Sequence, residues 1–375
     1  AFPEMNIAVM TDDVPDPDFF NRHDVKLIRN PNLNYLQNRD ISKIEAEKLL
    51  EKIDKLLGEN LERDTIMHAH NINLGKNPVM TLALSRLANQ GYRLVNHAHD
   101  FAEDRPANLS FLRRVIEDLF DENLNEVMYP GYENYHYAVL NSFDFERLLK
   151  AGIKQEAITL LPNPVHFEKK KDLPKAFARQ RIVKNLDLDD SKKIISYPVR
   201  VIRRKNIGEM ILLSVLFRDS ANWLVTQPPK NPVEIEFYDL WKSFCEKQQI
   251  QLLFEAGTRV NFEVLLTATD ICITTSTREG FGMVYLEPWL LDTPVMGRNI
   301  NYVTKDLIES GVEFPLLYDE LKVIFKDQEI DFGTLSQDEQ MDLITEMIKD
   351  EGMQQEILQL NPALKKLFEQ VPQKT

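Results

Sequence analysis

The chain has 375 residues, 43% hydrophobic and 28% charged, with a formal net charge of −14. That length exceeds one ordinary core and suits two domains of roughly 150 to 200 residues. No apolar run approaches the roughly 20 residues of a membrane-spanning helix, and so acidic a chain lacks the basic surface that nucleic acid or an acidic membrane requires. Integral membrane association and nucleic-acid partners are therefore excluded, and peripheral membrane contact is not expected.

Two cysteines, Cys245 and Cys272, cannot build a secreted disulfide framework, and no basic leader with an apolar stretch precedes Met5. The reading is a cytoplasmic protein, with "MNIAVMTDD" expected as its natural start and residues 1–4 as an addition.

Short apolar runs bounded by turn residues alternate with longer helical patterns, which predicts an α/β architecture with parallel sheets. Strands are expected at "MNIAVM" (5–10), "DTIMHAH" (64–70), "YRLVNHAH" (92–99), "EVMYP" (126–130) and "AITLLPN" (157–163). Helices are expected at 41–57, 79–89 and 109–120. In the last of these Phe111, Leu112, Val115, Ile116, Leu119 and Phe120 share one face. Glu117 and Asp118 offset Arg113 and Arg114, so that face is read as facing a core and not a membrane.

After "LLPNPVHF" the chain turns polar and basic, with lysines at 169–171 and Arg179 and Arg181. This stretch reads as a solvated linker helix, and the first domain is set at residues 1–166. A second alternation fills 167–351: "KKIISYPVRVI", a helix from Ile207, "NWLVTQ", a helix around Trp241, "IQLLFEAG", "DICITTS", a helix from Met283, and "TPVMG". The pattern is helical from Ser336. A closing segment, 352–375, is expected to return to the first domain. No repeat of 20 to 50 residues and no low-complexity stretch is visible.

All seven histidines, at 23, 68, 70, 97, 99, 136 and 166, lie in the first half. His68 and His70, like His97 and His99, are spaced by two, so each pair faces one side of a strand. Both pairs fall at strand C-terminal ends, where open parallel sheets bind ligands. Three readings stay open for them: substrate or catalytic contact, histidines satisfied by local hydrogen bonds, or a metal site in which Asp100 joins as in a hydrolase.

In "YPVRVIRRKN", Arg200 and Lys205 bracket two further arginines at a strand end and could form a local positive well for phosphate. In "TSTREGFGMVYLEPWLLDTPV", Glu279 and Glu287 stand either side of a Gly-Phe-Gly. Gly280 and Gly282 would let the backbone approach a ligand, and the start of the expected helix would offer free amides to an anion.

These residues resemble the retaining glycosyltransferases with the two-domain GT-B fold, the group that includes sucrose synthase, glycogen synthase and many bacterial hexosyltransferases. Glu279 and Glu287 match that group's Glu-X7-Glu spacing around "GFG", and "PVRVIRRKN" looks like its Arg and Lys pair, five apart. "AITLLPNPV" is similar to the segment closing the first domain, and "DTIMHAHN" and "RLVNHAHD" to two histidine-bearing strand ends.

The resemblance implies two Rossmann-like domains facing a cleft, the first on the acceptor side and the second binding the nucleotide sugar. By resemblance, Arg200 and Lys205 would neutralise the donor's diphosphate, Glu279 would hold hydroxyls of the transferred sugar, and amides near Gly280, Phe281, Gly282 and Met283 would assist. Glu287 would bind the ribose, His99 or His97 would stand beside the sugar, and His70 and Asn163 are further contact candidates. The donor would be a nucleoside-diphosphate sugar such as UDP-glucose or GDP-mannose, and no metal or other cofactor is expected.

Two departures stand out. Relatives often carry Gly-Gly in the loop after the first strand, where this chain has "TDDVPDPD", and Pro288, Trp289 and Asp292 interrupt the usual pattern after the second glutamate. Asp12, Asp13, Asp16, Asp18, Glu103 and Asp104 argue against a strongly anionic acceptor, and Arg105 argues the other way. A GT-B epimerase or phosphorylase, a nucleotide-sugar-binding module without turnover, and a metallohydrolase remain as alternatives.

Overall fold

The computed structural model describes residues 6–14, 16–23, 25–165 and 173–364. The chain divides into two units, 1–163 and 164–375. His166 and the lysines at 169–171 lie outside the described residues.

In the first unit a parallel pair, β1 (Ala8–Thr11) and β2 (Lys26–Arg29), stands apart from a four-stranded parallel sheet. That sheet runs in chain order: β3 (Ile66–His70), β4 (Arg93–Ala98), β5 (Tyr135–Val139) and β6 (Ile158–Leu160). Helix Lys43–Asn60 starts at Ser42, whose hydroxyl and Glu45 cap each other's backbone, and buries Ala46, Leu50, Ile53 and Leu57 on one face. Helix Pro78–Asn89 is buried on most sides by Val79, Leu82, Ala83 and Leu84.

Two expectations change here. "EVMYP" is helical, Leu124–Met128, because Asn123 caps two amides and Leu124, Val127 and Met128 bury at helical spacing; the strand is "YHYAV" instead. The expected helix 109–120 is an α-helix only as Pro106–Arg113 and continues as a π-helix over Arg114–Leu119. Its apolar face is nonetheless the core face, with Phe111, Leu112, Val115 and Ile116 buried and Leu119 and Phe120 packed against them.

The second unit holds a six-stranded parallel sheet made from β7 (Lys193–Arg200), β8 (Ala221–Gln227), β9 (Leu252–Leu253), β10 (Ile271–Thr274), β11 (Val295–Arg298) and β12 (Leu317–Tyr318). Its spatial order is β12-β11-β10-β7-β8-β9. An antiparallel hairpin, β13 (Lys322–Phe325) with β14 (Gln328–Asp331), follows. From Lys175 onward the basic stretch is no solvated linker: helix Lys175–Leu186 buries Ala178, Ile182 and Leu186, and Arg179 pairs with Asp270 at 2.9 Å and Asp190 at 3.0 Å. Helices Gln337–Lys349 and Glu351–Leu360 complete the unit, with Ile357 and Leu364 in its core. Residues 365–375 lie outside the described residues.

Candidate functional site

Adjacent strands β7 and β10 occupy the middle of the second sheet, and the chain leaves them in opposite directions, β8 and β9 to one side and β11 and β12 to the other. A parallel sheet opens a crevice beyond the carboxyl ends of strands at such a switch point. The loop after β7 forms a 3₁₀ turn, Arg203–Lys205, and Asn206 then takes a left-handed conformation (φ 44°) before helix Ile207–Leu216. The loop after β10 lies against it. Thr275 Oγ1 donates to the carbonyls of Lys205 and Asn206, both at 3.0 Å, and the Thr277 amide donates to Arg204 O at 3.0 Å.

Between these loops sits Glu279, only 9% exposed. The Lys205 ammonium donates to its Oε1, Arg204 Nη1 donates to Oε2 at 2.6 Å, and Ser276 Oγ donates to Oε1 at 2.6 Å. Its backbone exchanges two hydrogen bonds with the Tyr302 hydroxyl, at 3.0 and 2.9 Å. Burial pulls the carboxyl pKa up, but Lys205 and then Arg204 outweigh burial and hold it below its ordinary value. The group is an ionised carboxylate facing two cations that an incoming anion could also engage.

Arg200 is exposed at the end of β7, and its guanidinium has no partner among the described residues. Lys205 is therefore joined with Arg204 and not with Arg200. Arg203 turns away to Glu234, at 3.2 Å, so three consecutive basic residues take separate directions. Gly280, Phe281 and Met283 are half-buried. Gly282 has φ +80°, and a Cβ there would lie 2.5 Å from Val303 Cγ1. Only glycine fits that position.

The expected helix from Met283 is replaced by two 3₁₀ turns, Met283–Tyr285 and Glu287–Leu291. In a continuous helix Pro288 would lack a donor and clash with the carbonyl of Val284, so it instead opens the second turn. Glu287 stands at the head of that turn, half-buried, with its pKa raised by burial. It has no hydrogen bond or ion pair among the described residues. The acids of the loop after β1 are partly countered, Asp13 by Arg29 at 2.6 Å and Asp16 by Arg22 at 2.8 Å.

In the first unit, β3 pairs with β4 so that His70 stands opposite His97 and His68 opposite Val95. The four histidines consequently share one face. His68 Nε2 lies 3.2 Å from His97 Nδ1, and His70 Nδ1 lies 3.0 Å from His99 Nε2. Buried His97 is fixed from behind by a 3.0 Å bond from Nε2 to the Leu161 carbonyl. Burial and then neighbouring His68, His99 and His97 push His70 down to about 4, and burial likewise lowers His68 and His99. The His70 imidazole is neutral at neutral pH.

Left-handed Asn71 (φ 61°) braces the strand ends, its Oδ1 accepting from the amides of His99 at 3.1 Å and Asp100 at 2.9 Å. Asn163 is a half-buried coil residue closing this unit. Reasoning from the sequence missed Asn71, Arg204, Ser276 and Tyr302. Arg204 stood in the quoted basic run and Ser276 three residues before Glu279, so local spacing held a signal for both. Tyr302 is brought in by the fold alone.

No protein-family model matches the chain. A mannosylglucosyl-3-phosphoglycerate synthase of Petrotoga mobilis is 32% identical over 288 residues, covering 74% of this chain and 55% of its own length. The chain thus spans about half the length of that relative. Among solved structures, HepE of Anabaena in complex with UDP-glucose matches with a TM-score of 0.59 and 13% identity, over 98% of each chain. WaaG, a glycosyltransferase involved in lipopolysaccharide biosynthesis, matches with a TM-score of 0.56 and 14% identity, over 99% of this chain and 92% of its own. The chain has the GT-B fold of these solved structures, and its sequence is similar to that of the Petrotoga mobilis synthase.

Proposed function

We propose that the chain moves a hexose from a nucleoside-diphosphate sugar to an acceptor hydroxyl, retaining the anomeric configuration and needing no metal. The observation that carries this reading is the Lys205, Arg204 and Glu279 cluster, formed by the loops that follow β7 and β10 at the sheet's switch point. A departing nucleoside diphosphate develops negative charge, and preorganised cations act where it develops. Lys205 and Arg204 take the diphosphate in this reading, with Arg200 as a further cation at the same strand end.

Donor binding then frees the Glu279 carboxylate to accept from sugar hydroxyls, and Glu287, which has no hydrogen bond or ion pair among the described residues, binds the ribose diol. The leaving phosphate oxygen takes the acceptor proton on the same face of the sugar, so no protein nucleophile is required. The Petrotoga mobilis relative is named for a mannosylglucosyl-3-phosphoglycerate product. That name favours GDP-mannose or UDP-glucose as donor, and a small phosphorylated glucoside as acceptor.

The test incubates the full chain with each donor and glucosyl-3-phosphoglycerate in the presence of EDTA, following nucleoside diphosphate release and the product's anomeric configuration. Release should depend on acceptor, and Lys205→Ala should lower turnover by roughly 10² or more, the usual size of losing such a donor. One nucleotide series should also raise the melting temperature. Release without acceptor would favour an epimerase or hydrolase, and the absence of both product and melting shift would overturn the reading.

A further inference from the structure

The face of the first sheet that carries four histidines holds more nitrogen donors than sugar contact needs. His68 and His70 are exposed at the end of edge strand β3, and His97 is buried beside them on β4. One ring nitrogen from each of these three lies within 4.8 Å of the others. The His68 Nε2 to His97 Nδ1 separation is 3.2 Å. Two nitrogens bound to one zinc at about 2.0–2.1 Å in tetrahedral geometry stand about 3.3 Å apart, so this pair already has the spacing of two ligands on one ion. His70 brings a third ring nitrogen within 4.8 Å of both.

Two further features are those of a ligand set. His97 Nε2 is committed to the Leu161 carbonyl at 3.0 Å, which places the ring proton on Nε2 and leaves the Nδ1 lone pair directed at His68. Metal-bound imidazoles are commonly oriented in this way by a backbone carbonyl. His70 Nδ1 is likewise engaged by His99 Nε2 at 3.0 Å, leaving its other nitrogen available. His136, on the next strand, is instead bonded to Thr159 Oγ1 at 2.7 Å. Three imidazoles with a fourth position open to water suit zinc and its neighbours in the first transition row and not calcium or magnesium, which prefer oxygen.

We propose that His68, His70 and His97 bind one divalent transition-metal ion of the zinc class, with His99 orienting His70. The site is independent of the glycosyl-transfer reading, because that chemistry draws its cations from Arg204 and Lys205. Neutral imidazoles are the ligating form.

The test uses the tag-free full chain with no donor or acceptor present, so its failure is separable from failure of the transfer reading. Cobalt(II) titration should develop the visible absorption of a low-coordinate site, and zinc calorimetry should give one ion per chain. His68→Ala and His70→Ala should each weaken binding at least tenfold, His99→Ala by about 10- to 100-fold as an outer-shell partner, and His136→Ala should leave it unchanged. In the wild-type chain, zinc should perturb the ring nitrogen signals of His68, His70 and His97 and spare those of His23 and His136. No cobalt spectrum with no zinc heat, or zinc binding that leaves those three rings unperturbed, overturns the proposal.

Discussion

Single residues here are tuned by what surrounds them, and Asp144 shows the consequence for stability. It is 9% exposed near the start of helix Ser142–Lys150, and burial first of all pushes its carboxyl up to about 6, against the pull of Arg147 and Asn141. A carboxyl whose pKa is raised on folding contributes stability below its unfolded value, near 3.8, and that contribution is lost as pH rises through about 6. Asp144→Asn should therefore raise the melting temperature at pH 7 to 8, by on the order of 1–3 kcal/mol in stability, with the gain vanishing near pH 4. Arg147 keeps Asp104 at 2.8 Å in that variant. An unchanged melting curve across this range would show that folding does not raise the carboxyl's pKa. At the same scale the sequence singled out Glu279 and Lys205 separately, whereas their pairing with each other and with Arg204 was not legible. The choice of Arg204 over Arg200 is made by a 3₁₀ turn and one left-handed asparagine, and three adjacent basic residues give no one-dimensional sign of which will turn inward.

At the scale of elements, the parallel strands that carry the histidines and β7, β8 and β10 were readable because each is an apolar run ending in polar residues. The pieces that escaped are those in which local pattern competes with context. "EVMYP" has strand-forming residues but is too short for its period to decide, and Asn123 capping settles it as helix. Residues 283–291 carry helical apolar spacing, and Pro288 breaks it. Hairpin β13–β14 turns through Lys326 and Asp327, both at positive φ, without the Asn-Gly or Asp-Gly that usually announces such a turn.

That hairpin is anchored by a buried network. Arg298 at the end of β11 bonds Glu209, which is fully buried, and Asp331 at 2.8 Å, while the Tyr318 hydroxyl donates to Glu209 at 2.8 Å. Glu209 also accepts from Asn206 Nδ2 at 2.8 Å, which ties the network to the residue that follows Lys205. Removing one partner of such a pair strands a buried charge at a cost of about 3–5 kcal/mol. Arg298→Ala should lower the melting temperature by several degrees and speed hydrogen exchange at Leu321, whose amide donates to Asp331 at 3.1 Å. Unaltered exchange there would place the hairpin's stability elsewhere.

Across the whole molecule, each unit closes around its own buried core, one built on residues such as Leu82, Leu94 and Val139 and the other on Ile195, Trp223 and Ile273. Independent cores predict independent folding. A fragment spanning 164–375 should melt cooperatively and keep the nucleotide-induced shift of the full chain; a fragment that stays unfolded would show that the second core depends on the first unit. Among the described residues no helix is long and apolar enough to cross a membrane, in line with the composition. Acidic groups outnumber basic ones 59 to 45, and one of them, Glu279, already saturates the reach of Lys205 and Arg204. A resident carboxylate in that seat is a built-in competitor. Inorganic phosphate or sulfate can offer the two cations only another anion and leaves the evicted carboxylate buried with Ser276 as its remaining side-chain donor. A ligand that presents a diphosphate together with a row of hydroxyls supplies both replacements at once, so the resident carboxylate would discriminate against abundant small anions before any sugar contact is made.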